Sequence, residues 1–195
     1  RTPLSSILSS ASLLEKYNVN EESDATEKTK KHISRIKSSV NNLTQILNDF
    51  LSIDKLESGK ITSNIEKINL KELVHESINE MSLKKKKNQE IIFDCTAKNT
   101  EIIIDGHVFK NILINLLSNA IKYSKEGSKI DIQCKVENKK LYFQVKDEGV
   151  GIPKRDLKHM FERFYRASNV TNIQGTGLGL TIVKKYLDML SGKIE

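Results

Sequence analysis

The sequence has no tryptophan and few aromatic residues of any kind. It also has no apolar run approaching the roughly 18 residues that a membrane-crossing helix needs. No signal peptide opens it, and with 29% charged residues the composition is that of a soluble protein with substantial helix. There is no initiator methionine: the chain begins at Arg1 inside a helical pattern. The expectation is a cytoplasmic fragment of a longer protein, with any membrane anchor outside these residues. Cysteine is scarce. Cys95 and Cys134 lie far apart in the sequence without metal-ligand spacing, which predicts buried free thiols in a reducing compartment. His32, His75, His107 and His159 are scattered, with neither an HxxxH pair nor a cysteine nearby, so each reads as a surface or packing residue. Nucleic acid as a partner also lacks support. Residues 1–59 hold eight basic and eight acidic side chains, so the net charge of +7 lies in residues 60–195, where no aromatic interleaving or nucleic-acid motif accompanies it. The single concentrated run, residues 84–87, reads as a solvated loop.

What is present begins with two helical seams. Leu4, Ile7, Ala11 and Leu14 follow a 3-4-3 spacing, and so do Ile33, Ile36, Val40, Leu43, Leu47 and Phe50. A polar turn at residues 18–24 joins them, and Gly59 stands in the stop position of the second helix. One such hairpin cannot shield its own seam from water. Pairing with a second copy gives a four-helix bundle and predicts a homodimer; packing of the seam on the rest of the chain is the alternative. Beyond residue 60 the pattern changes to α+β. A short strand at Ile65 and Ile68 leads to a helix capped by Asn69 and bearing Leu73, Val74, Ile78 and Met81. Strands at residues 91–97 and 101–104 precede a long helix. A hairpin follows (Ile130, Ile132, Cys134, Val136, then Leu141, Phe143, Val145), with short helices at residues 155–161 and 178–190. Residues 192–195 read as the start of a further, truncated strand. The architecture expected is a mixed sheet with helices on one face.

The long helix carries the strongest chemical signal. At 100° per residue, Asn111, Asn115, Asn119 and Lys122 fall within one narrow arc, with Tyr123 at its edge. Phe109, Leu113, Leu116, Leu117 and Ala120 fall opposite. Three asparagines, poor helix formers, weaken the helix along that stripe, which marks it as a working surface; a plain solvated face is the alternative. Amide oxygens suit Mg2+ and a lysine suits phosphate. The alternation Leu141, Phe143, Val145 points Asp147 inward, where a carboxylate is costly unless paired. The glycines of Glu148-Gly-Val-Gly-Ile-Pro153 open the backbone to a flat ligand. Adenine fits because its exocyclic amine can donate to Asp147; a cap on the following turn is the alternative. Gln174-Gly-Thr-Gly-Leu-Gly-Leu180 runs into a helix, and free amides at a helix N-terminus favour phosphate. Its spacing is neither the Walker loop nor GxGxxG. Residues 168–174 read as a segment that swings.

In this order and on these elements the segments resemble the catalytic core of a sensor histidine kinase, across essentially the whole chain. FKNILINLLSNAIKYS is similar to the family's N box, DEGVGIP to its G1 box, FERFYR to its F box and GTGLGL to its G2 box. RTPLSSIL resembles the part of the H box after the phosphorylated histidine. The resemblance implies a dimerisation and histidine-phosphotransfer hairpin over residues 1–59 and a Bergerat-type ATP-binding domain over residues 60–195, an α/β sandwich.

Position by position, the resemblance makes Asn119 the Mg2+ ligand and Asn115 its neighbour arranging metal and phosphates. Lys122 would contact phosphate and Tyr123 would pack near adenine. Asp147 matches the acceptor of the adenine amine, with Gly149, Gly151 and Ile152 shaping that pocket. Gly175, Thr176, Gly177, Leu178 and Gly179 match the segment contacting the phosphates of ATP. Arg166 stands where an arginine reaches the transferred phosphoryl group, and Thr2 matches a position associated with dephosphorylating the partner. That partner would be the receiver domain of a response regulator, docked near residues 5–14. The resemblance places the phosphoacceptor histidine three residues before Arg1, so the fragment is expected to bind Mg-ATP without phosphorylating itself. Two rivals remain: an ATPase clamp of the same nucleotide fold, which would need a glutamate where Asn115 stands, and a non-catalytic dimeric scaffold.

Overall fold

The computed structural model describes residues 2–17, 25–58, 63–97, 100–138 and 140–195. The expected turn at residues 18–24, the helix stop at Gly59 and Arg1 lie outside them. The chain divides into two compact units, Arg1–Leu51 and Ser52–Glu195.

The first unit contains α1 (Thr2–Tyr17) and all but the last turns of α2 (Ala25–Glu57). The seam positions divide. Ile7, Ala11, Leu14, Ile36 and Leu43 are half-buried, whereas Leu4, Ile33, Val40, Leu47 and Phe50 stand exposed. An apolar stripe this exposed is unfinished as a packing surface.

In the second unit, β1 (Glu66–Asn69) pairs antiparallel with β3 (Glu101–Ile104). Three further strands form a mixed sheet. β2 (Glu90–Cys95) runs parallel to β4 (Lys129–Glu137), and β4 antiparallel to β5 (Lys140–Asp147), in the order β2-β4-β5. α3 (Leu70–Ser82) starts where Asn69 Oδ1 accepts the amides of Lys71 and Glu72, as the sequence predicts for a cap. α4 (Gly106–Tyr123) starts at buried Asp105, whose two carboxylate oxygens accept the amides of Val108 (2.9 Å) and Asn64 (2.8 Å). That cap carries no hydrophobic pattern and escapes a periodicity reading.

α4 is buried on two sides. Phe109, Leu113, Leu117, Ala120 and Ile121 pack with Leu70, Val74 and Met81 of α3 over Ile130, Ile132 and Cys134 of the sheet. Val108 and Ile112 join Leu178, which precedes α5 (Gly179–Met189), and Ile182, Val183 and Tyr186 within it, together with Ile53. Each fully buried leucine or isoleucine contributes roughly 1.5–3 kcal/mol. Three sequence expectations change here. Leu116 packs with the α5 cluster and leaves the sheet-facing one. Residues 155–161 form no α-helix; a single 3-10 turn, Leu157–His159, stands there. Residues 192–195 carry no strand: Gly192 N donates to Leu187 O at 2.7 Å, and Ile194 packs on the α5 cluster.

The cysteines, distant in sequence, are register partners on β2 and β4. Both are free. Burial, then the neighbouring Cys95 thiol, pushes the Cys134 thiol up to about 12. Among the described residues no cluster of three or more His, Cys, Asp or Glu could hold a metal ion, and no helix is long and apolar enough to cross a membrane.

Candidate functional site

The polar stripe of α4 stays half-buried between its two packed faces. His107 Nδ1 and Asn111 Nδ2 lie 3.2 Å apart, and Asn115 Nδ2 donates to Asn111 O at 2.9 Å. That bond turns the Asn115 carboxamide oxygen toward the start of α5. A β-carbon on Gly179 would stand 3.2 Å from Asn115 Oδ1 and 3.8 Å from Asn119 Nδ2. One turn further on, Lys122 Nζ lies 4.7 Å from the Tyr123 ring centroid, a cation over an aromatic face. A β-carbon on Gly175 would overlap that ammonium and stand 3.5 Å from the Tyr123 hydroxyl. The glycine-rich segment 175–179 therefore runs along the asparagine–lysine stripe, and its missing side chains leave the room between them.

The segment is held by its own chemistry. Thr176 Oγ1 accepts the Leu178 amide at 3.1 Å, and the Leu178 side chain is fully buried, so any ligand contact by Leu178 must use its backbone. Gly177 has φ +72°, and a β-carbon there would stand 2.7–2.9 Å from backbone atoms of Phe164 and Tyr165. Only glycine accepts both the dihedral and the approach.

The other wall follows β5. Leu141, Phe143 and Val145 are half-buried, as the alternation predicts, but Asp147 is exposed. The sheet ends at that point, so the inward-facing parity opens onto solvent instead of core, and the burial cost expected from the alternation does not arise. Asp147 Oδ1 accepts the Gly149 amide at 2.8 Å. Gly149 bridges to Ser124, and Val150 N donates to Tyr123 O at 3.4 Å. A β-carbon on Gly149 would meet Asp147 Oδ1 at 2.5 Å and Tyr123 O at 2.8 Å. The loop bearing Asp147 is thus sewn to the same last turn of α4 that carries Lys122 and Tyr123. Gly151, at φ +64°, then turns the chain, leaving Val150 and Ile152 exposed as apolar surface on that loop.

Residues 166–173 are hydrogen-bonded to their own backbone and to the Asp147 loop. Arg166 Nη2 donates to the carbonyls of Val170 (2.6 Å), Thr171 (3.3 Å) and Ile173, while Nε is buried without a partner among the described residues. Asn169 Nδ2 donates to Val150 O and Gly151 O, and Val170 is buried. Beneath them lies Asp156, 4% exposed, which the sequence did not single out. Its carboxylate accepts the Ser168 amide (2.8 Å), the Ser168 hydroxyl (2.9 Å) and the Tyr165 hydroxyl (2.9 Å). The amide of Ser168 above all, with the two hydroxyls, holds its carboxyl below the usual carboxylate range. No local spacing announces this hub, because its partners come from a loop 9 to 12 residues away. Glu57 takes an ion pair from Arg163 and another from Lys185 at 3.1 Å, which lower its carboxyl likewise. Thr2 opens α1, and its side chain lies outside the described residues.

Two family models match the chain. Residues 1–59 match the His Kinase A (phospho-acceptor) domain, and residues 104–195 match the histidine kinase-, DNA gyrase B- and HSP90-like ATPase. The autoinducer 2 sensor kinase/phosphatase LuxQ of Vibrio cholerae serotype O1 is 35% identical over 204 residues, covering 100% of this chain and 23% of LuxQ. The solved catalytic domain of histidine kinase ThkA, in a nucleotide-free form, is 31% identical with a TM-score of 0.58 and covers 65% of this chain and 81% of that one. Full-length ShkA in complex with AMPPNP is 25% identical with a TM-score of 0.71, over 98% of this chain and 39% of that one. The chain spans between about a fifth and under half of the length of the curated relatives it matches.

Proposed function

The chain belongs to the sensor histidine kinases of two-component signalling, and we propose that residues 60–195 bind Mg-ATP in the space between the Asp147 loop, the α4 stripe and residues 175–179. The observation that carries the reading is the run of the glycine-rich segment along Asn115, Asn119 and Lys122, with Asp147 tied to the same turn through Gly149 and Tyr123. Three features that bind unlike parts of one nucleotide meet there.

In this reading Asp147 accepts the adenine amine, which guanine, presenting a carbonyl, would lose. Gly149, Gly151 and Ile152 shape the base pocket, and Tyr123 packs beside it. Lys122 and the backbone of Gly175, Thr176, Gly177, Leu178 and Gly179 take the phosphates. The donor set fits Mg2+: a carboxamide at Asn119, Asn115 beside it and no carboxylate cage, as expected of an ion bound mostly through substrate phosphates and water. Bound there, Mg2+ would supply charge neutralisation at the phosphates. Transfer of the γ-phosphoryl group to an imidazole nitrogen depends on positioning and electrostatics. Arg166 would meet the transferring group, while its Nη2 donates to the carbonyls of Val170, Thr171 and Ile173 and so also shapes that loop. An ATPase that activates water with a carboxylate would need an acid where Asn115 donates its amide to Asn111 O.

Residues 1–59 act in this reading as the dimerisation and phosphotransfer hairpin. The exposed stripe Leu4, Ile33, Val40, Leu47 and Phe50 is the surface a second copy would cover. In this reading the phosphoryl group passes from a phosphoacceptor histidine of the kinase to an aspartate of a response regulator docked near residues 5–14, with Thr2 assisting dephosphorylation of that partner. The test is calorimetric titration with Mg-ADP and Mg-GDP. Wild type should prefer the adenine nucleotide, and Asp147→Asn should lose at least about tenfold in affinity for it; undiminished binding by that variant refutes the reading.

A further inference from the structure

The last carbonyls of a helix have no partner within it, and at the end of α4 each one has an identifiable donor. Ala120 O takes the Ser124 amide, and Tyr123 O takes Val150 N from the Asp147 loop. The others take side chains of one turn, residues 86–89, between α3 and β2. Gln89 Nε2 donates to Ile121 O at 3.1 Å and Lys125 O at 3.0 Å. Lys86 Nζ donates to Lys122 O at 2.8 Å and Ser124 O at 2.5 Å. The turn is closed on itself: Gln89 N donates to Lys86 O, Lys86 N donates to Gln89 Oε1 at 2.8 Å, and Asn88 between them takes φ +58°. Gln89 is buried and Lys86 exposed, and Lys86 has no carboxylate partner among the described residues. Its charge is directed at the negative end of the helix dipole, where a cation is favoured.

We infer that Lys86 and Gln89 are positioning residues for the nucleotide site, an assignment that rests on the function proposed above. Outside their own turn, the hydrogen bonds of both go to the end of α4 and residues 124–128, not to residues 175–179. Their bonds fix the turn on which Lys122, Tyr123 and the Ser124–Gly149 bridge all depend, so slack in that turn separates the base wall from the phosphate wall. One lysine of the run at residues 84–87 thereby has a task that composition alone assigned to solvent.

The experiment uses the 195-residue chain with Lys86→Met, Lys86→Arg and the exposed neighbour Lys85→Met as control. Two quantities are read: affinity for Mg-ADP by calorimetry, and hydrogen exchange of the Ser124 and Val150 amides without nucleotide. Lys86→Met should bind Mg-ADP about tenfold more weakly and exchange both amides faster. Lys86→Arg should recover most of both, and Lys85→Met should change neither. Gln89→Leu, if it folds, should repeat the Lys86→Met result. Unchanged Mg-ADP affinity in Lys86→Met, or equal weakening in Lys85→Met, overturns the inference. Should wild type bind no Mg-ADP, the nucleotide reading fails, and faster exchange confined to Lys86→Met then shows that the Lys86 bonds still hold the end of α4.

Discussion

Gly175 approaches Lys122 so closely that a β-carbon on the glycine would overlap the lysine ammonium, with the Tyr123 hydroxyl 3.5 Å away. The contact joins the glycine-rich segment to the end of α4 and is made by the tip of a flexible side chain. Gly175→Ala should therefore cost little stability, within about 0.5 kcal/mol, because the lysine can swing aside. It should weaken Mg-ADP binding several-fold, because the ammonium then leaves the phosphate side. Calorimetry beside a thermal melt separates the two effects; a large fall in Tm with intact affinity would contradict this.

Gly177 behaves differently, since the atoms it would strike are backbone atoms of Phe164 and Tyr165 and its φ is +72°. Neither can yield cheaply. Gly177→Ala should destabilise the second unit by about 1–3 kcal/mol, measured as a lower urea midpoint with unchanged slope.

Acid should weaken the hold of Asp156 on the loop that bears Tyr165 and Ser168. The Asp156 carboxyl is held below its ordinary value by the Ser168 amide and by the Ser168 and Tyr165 hydroxyls, so the folded state binds fewer protons than the unfolded one as pH falls through the usual carboxylate range. The stabilisation is present above the ordinary value and lost as pH drops through the folded one. Glu57, lowered by Arg163 and Lys185, adds in the same direction. Asp156→Asn should flatten the acid limb of a Tm-against-pH profile, and an unaltered limb would show that the hub contributes nothing to it.

Alkali should act through Cys134 with the opposite sign. Burial raises the Cys134 thiol to about 12, so the folded state keeps its proton above the ordinary thiol range, and stability falls as pH rises through that range toward the folded value. Half-buried Cys95 should take up a thiol reagent first, and Cys134 only with unfolding. Mass spectrometry of the alkylated native chain reads the order, which simultaneous labelling would contradict.

What the sequence determined by itself is local and periodic. The 3.6-residue spacing defined α4 and put Asn115, Asn119 and Lys122 on one face, because neighbours along a helix are fixed by the helix. Asn69 declared its helix start for the same reason, and alternation gave the sides of β5 up to Val145. The tertiary structure decided what depends on where elements end and what meets them. It decided that Asp147 emerges into solvent, that Leu116 turns to α5, that Cys95 and Cys134 become register partners, and that residues 192–195 pack as coil. It also decided that Arg166 donates to the carbonyls of its own loop, and that Asp156, Lys86 and Gln89 gather partners 9 to 39 residues away. Sequence spacing specifies directions along one element. Hydrogen bonds between elements depend on distances that exist only after two apolar faces of α4 have been buried at once.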